Sequence, residues 1–145
     1  MAEDAPAPPL FERMALIGIG LIGSSLARAA RKHGLVGEIV CSARSQATCD
    51  KALELGLVER ASTDSAAMVD GADLVVLCTP VGTYADIAQA IAPRLRPGAV
   101  LTDVGSVKQA VLRDVGPHVP DGVHLVPGHP VAGTEHSGPE SGFAE

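Results

Sequence analysis

The stretch Met14-Ala-Leu-Ile-Gly-Ile-Gly-Leu-Ile-Gly-Ser-Ser25 decides how the rest of the chain is read. Met14 to Ile17 is an apolar run with the character of a buried parallel strand. It ends in Gly18, Gly20 and Gly23 at the G-x-G-x-x-G spacing, and the sequence then turns helical. Each glycine has its own physical reason. Gly18 permits the tight strand-to-helix turn, Gly20 lets backbone approach a pyrophosphate, and Gly23 lets the helix pack closely on its strand. The helix that follows aims free N–H groups and its positive dipole end at the phosphates. Gly18, Ile19, Gly20, Leu21, Ile22 and Gly23 are therefore expected at a dinucleotide.

The pattern continues outward from this loop. A helix is expected from Leu21 to His33, with Ile22, Leu26, Ala29 and Ala30 inward and Gly34 stopping it. Glu38 to Ser42 reads as a second strand and Thr48 to Leu55 as a second helix, with Gly56 just past its end. A polar connection and a small helix near Ser65 to Val69 lead to Asp73–Cys78, a continuous apolar run of the kind buried on both faces of a sheet. Thr79-Pro80 ends that strand, because proline cannot continue a central ladder. Tyr84 to Ala92 is expected as a helix, Ala99 to Thr102 as a strand, Ser106 to Val115 as a helix with Ser106 as its N-cap, and His124 to Val126 as a last strand. This alternation implies an α/β fold with a doubly wound, mostly parallel sheet, a Rossmann-like dinucleotide-binding domain over residues 13–145.

Composition narrows the function. The 145 residues carry 11 Lys+Arg against 17 Asp+Glu, a net charge of −6, which argues against a nucleic-acid surface or an anionic membrane. Aromatic residues make up 2% of the chain and Trp is absent, so base-stacking platforms lack raw material and aliphatic side chains must build the core. Cys41, Cys49 and Cys78 have no C-x-x-C spacing and read as small core hydrophobes of a cytoplasmic protein. No His/Cys/Asp cluster has metal-ligand spacing. Residues 1–12 open with an acidic, proline-rich run that lacks a basic or apolar targeting segment and reads as a disordered leader.

Ligands of such sheets lie outside the carboxyl ends of the strands. Here those loops are Gly18–Gly23, Ala43–Ser45, Cys78–Gly82, Asp103–Lys108 and Pro127–Gly138. Roughly 20 residues beyond the third glycine, where an acidic residue would grip the adenosine ribose of NAD, the chain reads Ser42-Ala43-Arg44-Ser45. The carboxylate is missing. Arg44 offers a cationic fork to a 2′-phosphate, and Ser42 and Ser45 add hydroxyls, so NADP use or dual NADP and NAD use is expected over strict NAD. Ala43, Arg44, Ser45, Cys78, Thr79 and Pro80 complete the expected cofactor site.

Four segments together carry a family resemblance. Gly-Ile-Gly-Leu-Ile-Gly-Ser-Ser from Gly18, Leu-Cys-Thr-Pro-Val-Gly from Leu77, Thr-Asp-Val-Gly-Ser-Val-Lys from Thr102 and Gly-His-Pro-Val-Ala-Gly-Thr-Glu-His-Ser-Gly from Gly128 resemble the prephenate/arogenate dehydrogenase family of tyrosine biosynthesis. The resemblance implies an NAD(P)-dependent oxidative decarboxylation of prephenate, arogenate or both. It implies that His129 is the catalytic histidine, that Ser106 hydrogen-bonds the same substrate hydroxyl, and that Thr134 and Glu135 line the substrate side. Asp103 is expected to hold loop backbone rather than act as an acid. Members of the family continue into a helical domain that makes a homodimer and completes the substrate site. This chain is accordingly expected to be the cofactor-binding half, inactive or nearly so alone. Two other classes fit parts of the pattern. A β-hydroxyacid dehydrogenase shares the glycine loop and the Thr-Pro strand end but would carry a lysine on a later helix in place of Gly-His-Pro, and a non-catalytic dinucleotide sensor would have no need of both His129 and Ser106.

Overall fold

A computed structural model describes residues 9–105 and 108–127. Six strands form one parallel sheet in the order β3-β2-β1-β4-β5-β6: β1 (Phe11–Ile17), β2 (Val36–Ser42), β3 (Arg60–Ser62), β4 (Leu74–Leu77), β5 (Val100–Asp103) and β6 (His124–Val126). The helices are α1 (Leu21–His33), α2 (Gln46–Glu54), α3 (Ser65–Val69), α4 (Tyr84–Ile91) and α5 (Lys108–Asp114). The order reverses between β1 and β4, so the α/β fold is doubly wound and its crevice opens where the chain leaves those two strands.

Burial explains why β1 has no polar alternation. Met14, Ala15, Leu16 and Ile17 are all buried, because both faces of the strand are covered. Ala15 and Ile17 join the aliphatic cluster under α3, α4 and α5, with Met68, Val75, Ile91 and Val111. Met14 and Leu16 face the opposite cluster under α1 and α2, with Ala27, Ile39, Cys41 and Ala52. Cys41 and Cys49 are both core residues, as the absence of paired spacing suggests.

Three expectations are corrected by packing. β1 begins at Phe11, inside the segment read as leader, because Leu10 and Phe11 donate to the Leu35 carbonyl and Phe11 pairs with Val36. The lost polarity alternation had hidden those two residues; residues 1–8 lie outside the described ones. The bounds of α1 are as expected, yet its buried face is Gly23, Ser24, Ala27 and Ala30, while Ile22, Leu26 and Ala29 are only half-buried. Small residues win the inner face because they allow the helix axis closest to the sheet. Finally, the connection before α3 contains β3, a three-residue edge strand held by parallel pairing of Val40 with Arg60 through Ser42 with Ser62.

Candidate functional site

The carboxyl ends of β1, β2 and β4 meet at a cleft of about 330 Å³, into which Gly18, Ser42, Arg44, Thr63, Thr79 and Pro80 are among the residues that project. The three glycines of the loop are crowded very differently. Gly18 has φ +98, and a Cβ there would lie 2.9 Å from Thr79 Cγ2 and 3.1 Å from the Cys78 carbonyl carbon. A Cβ on Gly23 would lie 2.8 Å from the Gly18 carbonyl oxygen, so the helix could not hold its distance from the strand. Both glycines are required by the protein itself.

Gly20 is different. It has φ −78, open to any residue, and a Cβ there meets nothing within 4 Å. The position borders open space that a side chain would enter. Gly20 is also the N-cap of α1, which has no side-chain cap and no acidic residue in its first turn. Among the described residues neither a capping side chain at Gly20 nor a first-turn carboxylate engages the start of this 13-residue helix, a geometry suited to phosphate oxygens. The residues present fit a dinucleotide.

Other expected residues fall into distinct roles. Ile19 is buried in the core, so only its backbone faces the loop, while Leu21 and Ile22 are half-buried. Cys78 follows β4 directly, its N–H bonded to the Ile17 carbonyl, and its Sγ would stand 3.6 Å from a Cβ on Gly23. Burial, then the nearby Asp103 charge and Cys41, push its thiol up to about 12, so it stays protonated and is no nucleophile. Thr79 and Pro80 line the cleft, and the Thr83 hydroxyl donates to Thr79 Oγ1 at 2.9 Å, tying the start of the β4–α4 connection together.

At the end of β2 the expected carboxylate is indeed missing from the cleft wall. Arg44 is exposed on that wall and makes no ion pair among the described residues. The two serines beside it are otherwise engaged. Ser42 is buried with its hydroxyl 2.9 Å from that of Ser65, and Ser45 caps α2 by accepting from the Thr48 N–H, away from the cleft. Thr63, Ser65, Thr83 and Ile87 also line the cleft and were not anticipated. The first two follow the unforeseen β3; no local signal marked them. The adjacent Asp64 turns its carboxylate to the Ala67 N–H as the cap of α3.

Ser106, His129, Thr134 and Glu135 lie outside the described residues, as does the proposed capping role of Ser106. The strands leading to two of them do not: β5 ends at Asp103 and β6 at Val126, and these neighbours are parallel. Asp103 is buried, and its Oδ2 accepts the Gly105 N–H at 2.8 Å, the loop-holding role expected of it.

An all-parallel doubly wound sheet with a G-x-G-x-x-G loop and open space at an uncapped helix start has the form of a dinucleotide-binding domain. Comparison with known proteins makes this particular. The chain belongs to the prephenate dehydrogenase family: the family described as "Prephenate dehydrogenase, nucleotide-binding domain" matches residues 26–145. It is 40% identical over 136 residues to a cyclohexadienyl dehydrogenase of Zymomonas mobilis, covering 94% of this chain and 46% of that protein. Among solved structures it resembles the arogenate dehydrogenase of Synechocystis, with a TM-score of 0.81, 33% identity and coverage of 91% of this chain and 45% of that one. A prephenate dehydrogenase from A. aeolicus, seen with hydroxyphenyl propionate and NAD+, also superposes with a TM-score of 0.81, at 31% identity over 91% of this chain and 46% of its own. The chain thus spans less than half the length of these relatives. The family match sets aside the β-hydroxyacid dehydrogenase reading.

Proposed function

We propose that this chain is the cofactor-binding part of an NAD(P)-dependent dehydrogenase that oxidatively decarboxylates prephenate, arogenate or both on the route to tyrosine. The observation that carries the reading is the open space at Gly20 on the uncapped start of α1, in a chain that belongs to this family. Gly18, Gly20 and Gly23 with the first turn of α1 hold the pyrophosphate, and Ala43 and Arg44 face the adenosine ribose. Thr79 and Pro80 line the crevice at the switch point. The bound dinucleotide supplies the acceptor for a hydride from the carbinol carbon of the substrate ring, as carbon dioxide leaves and the ring becomes aromatic.

His129 accepts the proton of that carbinol hydroxyl, a task that suits an imidazole because its ordinary titration lies near neutral pH. Ser106 hydrogen-bonds the same oxygen, and Thr134 and Glu135 line the substrate side. The parallel pairing of β5 with β6 supports this grouping, since the segments carrying Ser106 and His129 leave the same edge of the sheet. Arg44 without a neighbouring carboxylate favours NADP or dual use. The full-length protein is proposed to be a cytoplasmic homodimer; no helix among the described residues is long and apolar enough to cross a membrane.

The test is turnover of prephenate and of arogenate by the full-length protein and its His129→Asn variant. The variant should keep dinucleotide affinity and lose roughly 10²–10⁴-fold in kcat, the scale of positioned acid–base help. Near-normal kcat in the variant, or no turnover of either substrate by the parent, would contradict the proposal. Residues 1–145 alone should bind a dinucleotide and turn over neither.

A further inference from the structure

Among the described residues Asp103 is the one charged side chain that is buried, at 2% exposure. A carboxylate in an aliphatic interior is costly unless hydrogen bonds satisfy it. Besides the Gly105 N–H, its Oδ2 lies 3.4 Å from the hydroxyl of Tyr84, which has no exposed surface and opens α4. The same hydroxyl lies 3.4 Å from the Leu77 carbonyl at the end of β4. With one proton to give and both acceptors at 3.4 Å, the phenol makes a long, weak contact to one of the two at a time, while the carboxylate turns the chain as it leaves β5. Burial, then the negative charge of Asp103, raise the phenol above its ordinary value, so it stays a donor.

Closing a turn at a strand end needs none of this. An exposed Asn or Ser accepts the N–H two residues on without burying a charge. The added cost is matched to what lies next in the chain. We propose that Asp103, buried beside Tyr84, is a positioning residue for the reaction, fixing through the Gly105 N–H the described backbone of residues 103–105 that leads to Ser106. The inference rests on the role given to Ser106 under the proposed function.

The experiment is a double-mutant cycle on kcat in the full-length protein. Asp103→Ala should lower kcat by at least about tenfold and leave dinucleotide Kd within about threefold, whereas in a Ser106→Ala background it should cost nothing further. Asp103→Asn, whose amide oxygen can still accept from Gly105, should recover most of kcat. If Asp103→Ala does not fold, Tyr84→Phe takes its place in the cycle, with a smaller loss expected and the same disappearance in the Ser106→Ala background. Losses that multiply, or a loss confined to thermal stability and cofactor affinity, would overturn the positioning role while leaving Ser106 catalytic. A Ser106→Ala variant with unchanged kcat would overturn it by removing the role it serves.

Discussion

The two halves of the sheet end differently at the same edge. Where β1 and β2 end, space and charge are left over: a Cβ added at Gly20 would meet nothing within 4 Å, and Arg44 on the cleft wall has no ion pair among the described residues. Where β4 and β5 end, the side chains are engaged with each other, Tyr84 with Leu77 and Asp103, and Asp103 with Gly105. A binding surface for a flexible dinucleotide needs donors and space left over after folding. A strand end that must present reacting groups needs its backbone fixed, since small misplacements of such groups are costly. The contrast teaches that a residue's lack of internal partners can be the functional signal in one half and its excess of them in the other.

The sharpest break in that contrast comes within the glycine loop. Gly23→Ala should lose both stability and dinucleotide binding: a Gly→Ala change in a helix ordinarily stabilises, by up to about 1 kcal/mol in the interior, but at Gly23, in the first turn, the clash with the Gly18 carbonyl should reverse the sign and cost about 1–3 kcal/mol. Gly20→Ser should separate the two properties. Serine is an at least equally good N-cap, so the melting temperature should hold or rise, while its side chain enters the open space there and affinity falls roughly tenfold or more, about 1.4 kcal/mol per decade. Thermal melts and cofactor titrations on the same samples check this. Parallel losses in both properties for Gly20→Ser would make that glycine structural after all.

A smaller effect distinguishes the committed half by pH. Burial first, then neighbouring negative groups, push the Cys41 and Cys78 thiols from 9.0 up to about 12, and the Tyr84 phenol is raised as well. The folded chain holds these protons more tightly than the unfolded chain does. Stability is therefore full below about pH 9 and falls as pH rises toward about 12, by at most about 1.4 kcal/mol per pH unit for each group. Denaturant midpoints across this range should show the decline. Cys78→Ala combined with Tyr84→Phe should flatten it more than Cys41→Ala, because the first removes two of the four raised groups, Cys49 being the fourth, and the second only one. The opposite ranking would place the pH-sensitive packing in the β1–β2 half.

How much of this was legible in the sequence follows the same division. The glycine spacing, the apolar β1 and β4 and the bounds of α1 are local patterns, and each appears in the structure. So does the lack of a carboxylate after β2. The close packing of Gly23 was read from the glycine spacing, but the rest of the buried face of α1 was not, because hydrophobicity ranks Ile22 and Leu26 above Ser24 and Ala27, whereas close approach to the sheet rewards small residues. β3 escaped notice because Arg60-Ala61-Ser62 has neither an apolar run nor alternation; it is a strand only because β2 offers its edge. With it went Thr63 and Ser65. Asp103 was expected to hold loop backbone, but its phenolic partner lies 19 residues earlier in the chain and only the fold brings the two together. Ser45 was read for its hydroxyl, and the competing use of that hydroxyl as a helix cap is what the structure added.

The proposed cofactor preference rests on Arg44, on the cleft wall with no carboxylate beside it, meeting the adenosine ribose. Calorimetric titration of residues 1–145 with NADP and with NAD tests this directly. Both should bind, NADP at least as tightly as NAD, and Arg44→Ala should weaken NADP by about 1.5–3 kcal/mol while barely changing NAD. Binding of NAD roughly tenfold tighter than NADP, about 1.4 kcal/mol, or binding of neither, would contradict it.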